Sequence, residues 1–353
     1  MTQPCAVMLA RAEKNVSSCG MRLRSFTIVC ALALLCLAGC SRRAASAVTK
    51  GEAPALRRVV FQMDWFPQAE QGGYYQALAK GFYREAGLAV EIRPGGNAAG
   101  IKLPVAKGEA DFGMNRSDDV MVAASRGLPL VMVAATFQHD PQALLVHADS
   151  PVKSFKDLQG RTVTASLSMT WIPFIQKKYA LKFDLKPGNY ALAGFLADKD
   201  AIQQCLLTNE PFFARQHGTA VRTLTLADAG YDIYHTIICR RELVRTEPRV
   251  VRAFVAASLL GWRDYLTGDP APAHAIILER NAQMTPELLA FSRSELILLS
   301  LVTGDPARGE DIGELSLTRL SEELEILLDL KLLDAPISVN SVATREFLPP
   351  AQR

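Results

Sequence analysis

The stretch VVFQMDWFPQAEQGGYYQALAKGFYREAGLAVEIRPGG, residues 59–96, decides the fold of this chain. It begins with a β-rich run that ends at Asp64, and after two glycines it continues into an amphipathic helical pattern over residues 74–85, closed by Gly87 as a C-cap. A second β-rich run over residues 88–92 follows at once. A strand, a helix and a second strand in this order predict a βαβ unit, the building block of a parallel sheet.

The same alternation continues along the chain. Helical patterns over residues 99–107 and 118–126 alternate with β-rich runs over 110–114 and 130–135, which predicts an α/β protein with a mostly parallel sheet. After Pro151 the rhythm restarts, with predicted strands at 162–166, 221–226 and 231–239, a helix at 172–181, and a helix running into a short strand at 201–207. The rest is predicted to be helical, at 250–265, 271–280, 286–301 and 317–332. About 300 residues exceed a typical single core, so two lobes are expected.

A short apolar run lies near the N-terminus. Residues 26–37 are apolar, follow Arg22 and Arg24, and lead into the sequence Leu-Ala-Gly-Cys that ends at Cys40. A transmembrane helix needs about 20 apolar residues, so this run has the layout of a bacterial export signal instead. Leu-Ala-Gly-Cys resembles a lipobox, in which the cysteine is lipidated and becomes the first residue of the mature protein. The alternative is a signal peptide with an incidental cysteine.

We therefore predict a signal peptide over residues 1–39, followed by the lipidated Cys40 and a flexible tether over 40–55 with little apolar content. Met21 is a better start than Met1, because it places the two arginines directly before the apolar run. The predicted fold begins after this segment.

The composition excludes several classes of protein. The chain has 39 Lys and Arg and 36 Asp and Glu, and without residues 1–39 both counts are 35, so the mature protein is near neutral. A nucleic-acid-binding protein should carry a basic surplus, so no nucleic-acid partner is expected. Cys205 and Cys239 are the cysteines of the predicted fold; they could pair in an oxidising compartment, but two buried free thiols are favoured. No Cys/His spacing indicates a metal site, and no cofactor is expected.

The stretch 64–96 closely resembles the solute-binding proteins of importers for thiamine-pyrimidine precursors, whose superfamily also includes binders of taurine, nitrate and other sulfonates. Further blocks match in order along the chain, at residues 107–113, 137–141, 208–212, 228–231, 261–265, 304–305 and 312–313. The match spans about residues 57–348, effectively the whole mature domain. An ordered series of this kind is a much more specific signal than a lone Asp-Trp-Phe-Pro.

The resemblance implies a two-lobed periplasmic binding protein fold of type II, hinged, with the C-terminal helices packing on lobe one. Lobe one is expected to comprise residues 56–146 and 240–353, and lobe two residues 147–239. Ligands of such sheets lie outside the carboxyl ends of the strands, so the expected site is the cleft between the lobes, which closes about the hinge.

Aromatic side chains near strand ends are the first candidates for ligand contact. Trp65 follows the first strand at the edge where ligands bind, and its indole can stack on a flat heteroaromatic ring. Trp171 follows the first strand of lobe two and is predicted to be the opposing wall, although it also begins a helix and could simply anchor it. Trp262, inside a helical pattern, is expected in the core.

Polar residues complete the predicted site. Glu210, beside Asn209 in a Thr-Asn-Glu-Pro turn, could accept hydrogen bonds from the amino group and a ring nitrogen of an aminopyrimidine; alternatively it locks the hinge by contacting backbone N–H groups. Glu70 stands where relatives often carry histidine, and is either a ligand contact or a solvated loop acid. Asn115 and Gln138 offer amides that suit a neutral heterocycle.

Other positions carry weaker signals. Ser168 and the turn at 95–97 precede predicted helices, whose free N–H groups can hold an anion. Such turns are also common connections between strands and helices that bind nothing. The histidines have no nucleophile and acid spaced around them and are expected to be structural: His139, His147, His217, His235 and His274. Close relatives tend to carry Gly-Tyr where this chain has Cys205-Leu206, and the loss of a stacking tyrosine would weaken the pyrimidine assignment.

These features favour a receptor rather than an enzyme. The expected protein is a lipid-anchored monomer on the periplasmic side of a bacterial membrane, or on the outer face of the cell membrane if there is only one. It would capture a small aromatic nitrogen heterocycle and deliver it to the permease and ATPase of an ABC importer. Sulfonate-, nitrate- or flavin-type ligands are alternatives, as is a sensory role.

The enzyme alternative is a pyrimidine synthase of eukaryotes that shares this fold. Its chemistry would need a histidine where Glu70 stands, and a cysteine cluster that is missing from this sequence.

Overall fold

The computed structural model describes residues 55–96, 100–188 and 191–350. The predicted signal peptide, the start at Met21, Cys40 and nearly all of the tether lie outside these residues, as does Asn97 of the predicted anion-binding turn. The chain from Pro54 onward forms one compact unit.

The described residues contain ten strands and thirteen α-helices. The strands are β1 Arg57–Gln62, β2 Leu88–Arg93, β3 Phe112–Arg116, β4 Leu130–Phe137, β5 Gln142–His147, β6 Thr162–Ala165, β7 Asp184–Pro187, β8 Ile202–Leu206, β9 Val221–Thr225 and β10 His235–Arg240. The helices are α1 Gly72–Lys80, α2 Phe82–Glu85, α3 Lys102–Lys107, α4 Ser117–Ser125, α5 Trp171–Lys178, α6 Ala193–Ala197, α7 Glu210–Gln216, α8 Arg241–Thr246, α9 Pro248–Thr267, α10 Ala271–Arg280, α11 Pro286–Leu298, α12 Leu317–Asp329 and α13 Val339–Val342.

The strands form two five-stranded sheets of the same design, which confirms the predicted two-lobed α/β fold. The first sheet has the order β2-β1-β3-β10-β4 and the second the order β7-β6-β8-β5-β9. In each sheet one strand, β10 or β5, is antiparallel to both of its neighbours, and the other four run parallel to one another. The antiparallel strand is in both cases the first one after the chain arrives from the other sheet.

The observed crossings between the sheets differ from the predicted lobe boundaries. The chain leaves the first sheet after Phe137, enters the second at Gln142, and returns between Thr225 and His235. The predicted lobe boundaries place the crossings near His147 and Cys239 instead. Both antiparallel strands therefore belong to the opposite lobe from the predicted one, because β5 pairs with β8 and β9 whereas β10 pairs with β3 and β4. Which sheet a strand joins depends on these distant partners rather than on local sequence.

Two local predictions were also wrong. The helix predicted over residues 74–85 is interrupted at Gly81, whose φ of 80° lies in the left-handed region, so that α1 and α2 are separate. The segment from Ala201 to Leu207 was predicted to be partly helical, but it contains only strand β8, because it pairs with β6 on one side and β5 on the other.

The long helix α9 packs on α1 in lobe one through close backbone contact. A Cβ atom on Gly73 would lie 2.2 Å from the Trp262 indole, and one on Gly261 would lie 2.2 Å from the carbonyl oxygen of Gly73. Trp262 is fully buried, which confirms its place in the core. Cys205 and Cys239 are both buried and free.

Candidate ligand-binding site

A cavity of about 360 Å³ lies between the two sheets. Its walls come from the carboxyl ends of parallel strands and from the first residues of the antiparallel strands β5 and β10, which meet at the same sheet edges. The lining residues are Asp64, Trp65, Gln68, Glu70, Gln71, Ile101, Met114, Asn115, Arg116, Asp119, Phe137, Pro141, Gln142, Ser168, Met169, Gln204, Leu206, Asn209, Glu210 and His235. This edge is where open α/β sheets bind their ligands.

The structure brings together six of the eight residues that the sequence analysis assigned to ligand binding. They all lie in the lining of this one cavity: Trp65, Glu70, Asn115, Ser168, Asn209 and Glu210. Leu206, the position where relatives tend to carry tyrosine, also lies in the lining. The cavity is therefore the candidate ligand-binding site.

Two predicted contact residues, Gln138 and Trp171, lie outside this lining. The Gln138 amide donates to the carbonyl oxygen of Glu314 at 2.9 Å, and both residues line a different pocket. Trp171 is 1% exposed and packs in the core of lobe two with Ile172 and Ile175. The reason for the second difference is that Trp171 is the first residue of α5, so that its side chain follows the buried face of that helix.

Two glutamates form an acidic region of the cavity. The Thr208 hydroxyl donates to Glu70, and the backbone N–H of Leu206 donates to Glu210 at 2.7 Å. Burial raises the pKa of the Glu210 carboxyl to about 7, and the neighbouring Glu70 adds to the rise. Burial also raises the pKa of Glu70, although the hydrogen bond from Thr208 opposes the change. A ligand that donates hydrogen bonds would stabilise the ionised form of either carboxyl group.

The loop that carries Trp65 is held in place by close backbone contact. The N–H of Gly95 donates to the Trp65 carbonyl oxygen at 2.8 Å, and a Cβ on Gly95 would lie 2.4 Å from the carbonyl carbon of Asp64. The Trp65 side chain is partly exposed and meets Phe66 edge to face, with ring centroids 5.5 Å apart. Trp65 therefore presents an aromatic ring to the cavity from a fixed loop.

Buried glutamines line the lobe-two side of the cavity. Gln204 donates to the Gln142 side chain at 2.6 Å and accepts a hydrogen bond from the N–H of Ser166 at 2.9 Å. Gln142 in turn donates to Asp140. These residues, and also Asp64, Arg116 and His235, were not predicted. A single sequence gives no signal for the glutamines, because polar residues in a buried strand are recognisable only when their partners are known.

The lobes contact each other on both sides of the cavity. On one side, Thr208 of lobe two donates its hydroxyl to Glu70 of lobe one. On the other side, Asp118 at the start of α4 accepts hydrogen bonds from Thr170 and from Tyr231 of lobe two. Burial opposes ionisation of Asp118, but the adjacent Arg116 and the hydrogen bonds from Thr170 and Tyr231 together hold the pKa of that carboxyl below its usual value. These hydrogen bonds join the two lobes beside the cavity.

Neither a membrane span nor a metal site is found in the part of the chain that the structure describes. No helix there is long and apolar enough to cross a membrane. Within the same residues, no group of three or more His, Cys, Asp or Glu could hold a metal ion. A larger surface groove, of about 900 Å³, lies on lobe one alone, beside α9 and the C-terminal segment, and has no residues from lobe two.

Comparison with known proteins gives matches over most of the chain. The family described as NMT1/THI5 like matches residues 68–273. The riboflavin-binding protein RibY of Chloroflexus aurantiacus is 28% identical to this chain, and the alignment covers 93% of this chain and 99% of RibY. A formylaminopyrimidine-binding protein of Halalkalibacterium halodurans is 25% identical, and the alignment covers 82% of this chain and 90% of that protein. A 4-amino-5-hydroxymethyl-2-methylpyrimidine phosphate synthase of Saccharomyces cerevisiae is 23% identical, and the alignment covers 65% of this chain and 73% of the synthase.

Solved structures support the fold. A periplasmic sulfonate-binding protein of Methylobacillus flagellatus superimposes with a TM-score of 0.63, over 83% of this chain and 93% of that one, at 16% sequence identity. At this level of identity the likeness concerns the architecture, which is that of a two-lobed periplasmic binding protein.

Proposed function

Because the chain belongs to the NMT1/THI5-like family, we propose that it is the solute-binding protein of an ABC importer and that it captures a small aromatic nitrogen heterocycle. The observation that carries this proposal is the composition of the interlobe cavity, where Trp65 lies in the same lining as Glu70 and Glu210. An indole provides a stacking face for a flat ring, and carboxylates accept hydrogen bonds from amino and ring N–H groups.

The charges of the lining argue against an anionic ligand. Four carboxyl groups, those of Asp64, Glu70, Asp119 and Glu210, line the cavity, against one guanidinium group. That guanidinium, on Arg116, lies 3.1 Å from Asp118 and is already paired. A sulfonate or nitrate would bring a negative charge beside these carboxyl groups, and the one guanidinium of the lining is already paired, so these ligands rank below heterocycles that carry N–H groups.

Within the heterocycles, the relatives favour two classes. One relative is named for riboflavin and another for formylaminopyrimidine. Leu206 replaces an expected stacking tyrosine in the lining, which leaves room for a ligand other than a pyrimidine. We propose pyrimidines of the thiamine-precursor type first and flavins second.

We further propose that the chain is a receptor and not an enzyme. The synthase among its relatives belongs to a type whose chemistry is expected to need a histidine in the first cleft loop, where this chain carries Glu70. Glu70 is buried and bonded to Thr208 across the cleft, which suits a role in binding and lobe contact.

The remaining elements of the proposal concern location and partners. The Leu-Ala-Gly-Cys sequence ending at Cys40 supports an exported protein held at the membrane by a lipid on that cysteine. We propose the periplasmic side of the membrane, and a permease and an ATPase as the partners that receive the ligand. The protein itself is proposed to act as a monomer.

Titration of the domain from residue 55 onward with aminopyrimidines, riboflavin and alkanesulfonates tests the proposal. A ligand at 100 times its Kd raises the free energy of unfolding by about 2.7 kcal/mol, which a thermal-shift measurement detects. We expect a heterocycle to bind, and Glu210→Gln to weaken that binding by about 1.5–3 kcal/mol because a charged acceptor is lost. Binding of alkanesulfonates alone would overturn the proposed ligand class, and coupled import by a neighbouring permease would support the transport role.

A further inference from the structure

Two buried side chains in the lobe-one wall of the cavity have polar atoms without a hydrogen-bond partner. Both ring nitrogens of His235 and the Nδ2 atom of Asn115 are buried and have no partner among the described residues. Both residues line the cavity. They lie on neighbouring antiparallel strands, where Asn115 of β3 is paired with Thr236 of β10, the residue next to His235.

The surroundings of the His235 imidazole do not satisfy its nitrogens. The nearest carboxylate oxygen, Oδ1 of Asp140, lies 3.5 Å from Nε2, and Asp140 already accepts hydrogen bonds from the N–H and side chain of Gln142. The Phe137 ring packs beside the imidazole, with centroids 5.2 Å apart. Buried polar groups are nearly always hydrogen-bonded, and leaving one unpaired is costly, so a cluster of unpaired groups in a cavity wall needs an explanation.

We propose that His235 and Asn115 form a second recognition subsite, in which each side chain can bind a hydrogen-bond acceptor of the ligand, either a carbonyl oxygen or an unprotonated ring nitrogen. Asn115 Nδ2 can only donate, and the imidazole can donate from one of its nitrogens. This subsite rests on the proposed function and adds to it the orientation of the ligand in the cavity. The ligand presents N–H donors to Glu70 and Glu210 and acceptors to β3 and β10.

The test uses three probes: formylaminopyrimidine, 4-amino-5-hydroxymethyl-2-methylpyrimidine and riboflavin. Calorimetric titration compares the wild type with His235→Phe, which keeps a ring and removes both nitrogens, and with His235→Gln, whose amide can still donate. His274→Phe is the matched control, because that histidine is bonded to Tyr265 on lobe one and lies outside the lining. Trp65→Ala and Glu210→Gln are titrated in parallel.

We expect His235→Phe to weaken the tightest probe at least about tenfold, the scale of one lost hydrogen bond to a buried group. Its melting temperature should stay level or rise, because two unpaired buried nitrogens are removed, and His235→Gln should recover part of the affinity. If the acceptor bound here is a carbonyl oxygen, His235→Phe should weaken binding of formylaminopyrimidine more than binding of 4-amino-5-hydroxymethyl-2-methylpyrimidine, which has no carbonyl group.

Three outcomes would overturn the subsite. Unchanged affinity in His235→Phe, while Trp65→Ala and Glu210→Gln bind weakly, would remove the subsite and leave the proposed function standing. A large fall in melting temperature in both His235 variants would assign this histidine a structural role. Failure of all three probes to bind the wild type would overturn both proposals together.

Discussion

The Nδ1 atom of His139 lies 2.8 Å from Oδ2 of Asp232, so that a hydrogen bond joins the two segments through which the chain passes between its lobes. His139 belongs to the first crossing and Asp232 to the second. The other carboxylate oxygen of Asp232 accepts the N–H of Asp140 at 3.0 Å, and Arg319 of α12 lies 3.1 Å from the same carboxylate. The two crossings are thus tied to each other and to lobe one at the place where a hinge must bend.

Replacing Asp232 should weaken this connection. Asp232→Asn removes the charge that His139 and Arg319 face, and we expect a loss of about 1–3 kcal/mol in the free energy of unfolding at neutral pH. Burial opposes ionisation of Asp232, but the hydrogen bond from His139 and the charge of Arg319 outweigh it and hold the pKa of this carboxyl below its usual value. A depressed pKa contributes stability that is present above the unfolded-state pKa of about 3.9 and is lost as the pH falls through the folded-state value.

Urea unfolding of the wild type and of Asp232→Asn across acid and neutral pH measures this difference, which should narrow as the pH falls below about 4. Asp311→Asn is the matched control, because Asp311 pairs with Arg263 on the surface and lies outside the crossings. An equal effect of the two substitutions would argue against a special role of Asp232.

The raised pKa of Glu210 predicts the opposite pH dependence. Between its ordinary value, near 4.5, and about 7, the unfolded chain has lost the Glu210 proton while the folded protein keeps it. The unfolded state then binds fewer protons, so stability falls as the pH rises through this window, by about 3 kcal/mol at most, and levels off above it. The ligand-free Glu210→Gln variant should lack this component. Urea unfolding at pH 5 and pH 8 measures this component of the free energy of unfolding. Glu279→Gln, at an exposed position, is the control. The same change in stability between the two pH values in the wild type and in Glu210→Gln would contradict the assignment.

How far the sequence predicts the site can be judged from its tryptophans. Trp65 follows β1 and Trp171 follows β6, and the local sequence pattern predicts both as walls of the cleft. Trp65 lies in the loop directly after β1, whereas Trp171 is the sixth residue after the end of β6 and begins α5, whose buried face sets its direction. The order of strands and helices, and hence the cleft edge, follows from local periodicity. The direction of a single side chain depends on packing with residues far away in sequence.

The same limit explains why His235 was assigned a structural role. The sequence pattern over 231–239 correctly predicts a strand, which is β10, but it does not predict where the chain crosses between the lobes. Because β10 joins the first sheet, His235 is its first residue at the cleft edge. Strand pairing that spans more than 100 residues, such as that of β10 with β3, cannot be read from one sequence.

The proposed lipid anchor gives a prediction outside the described residues. If Cys40 ends a lipobox, the wild-type protein should partition with membranes, and its mature N-terminus should carry the mass of a lipid-modified cysteine. Cys40→Ser should leave the precursor unprocessed, since the modified residue is lost. Membrane fractionation with mass spectrometry of the N-terminus measures both effects. Equal solubility of the two proteins, without a lipid mass in the wild type, would contradict the anchor.

Gly95 should control the position of the Trp65 loop. A Cβ at this position would lie 2.4 Å from the Asp64 carbonyl carbon and 2.5 Å from the Trp65 backbone nitrogen, so Gly95→Ala must displace the loop. We expect weaker heterocycle binding, by about 1–3 kcal/mol, together with a lower melting temperature. Gly127→Ala is an informative control, because no atom lies within 4 Å of its added Cβ, although its φ of 89° carries a backbone cost. Wild-type affinity in Gly95→Ala would show that the loop can move without consequence for the ligand.

Trp65 itself provides the most direct test of the stacking role. Trp65→Ala should weaken binding of the heterocycle by about 1–3 kcal/mol, the scale of stacking between a base and an aromatic side chain. The side chain is partly exposed in the ligand-free protein, so the melting temperature without ligand should change little. Trp65→Phe is the matched variant, because a smaller ring still stacks and should recover part of the affinity. Calorimetric titration of the three proteins with the heterocycle that binds the wild type measures the series. Equal affinity in all three, with unchanged melting temperatures, would exclude Trp65 as a wall of the ligand site.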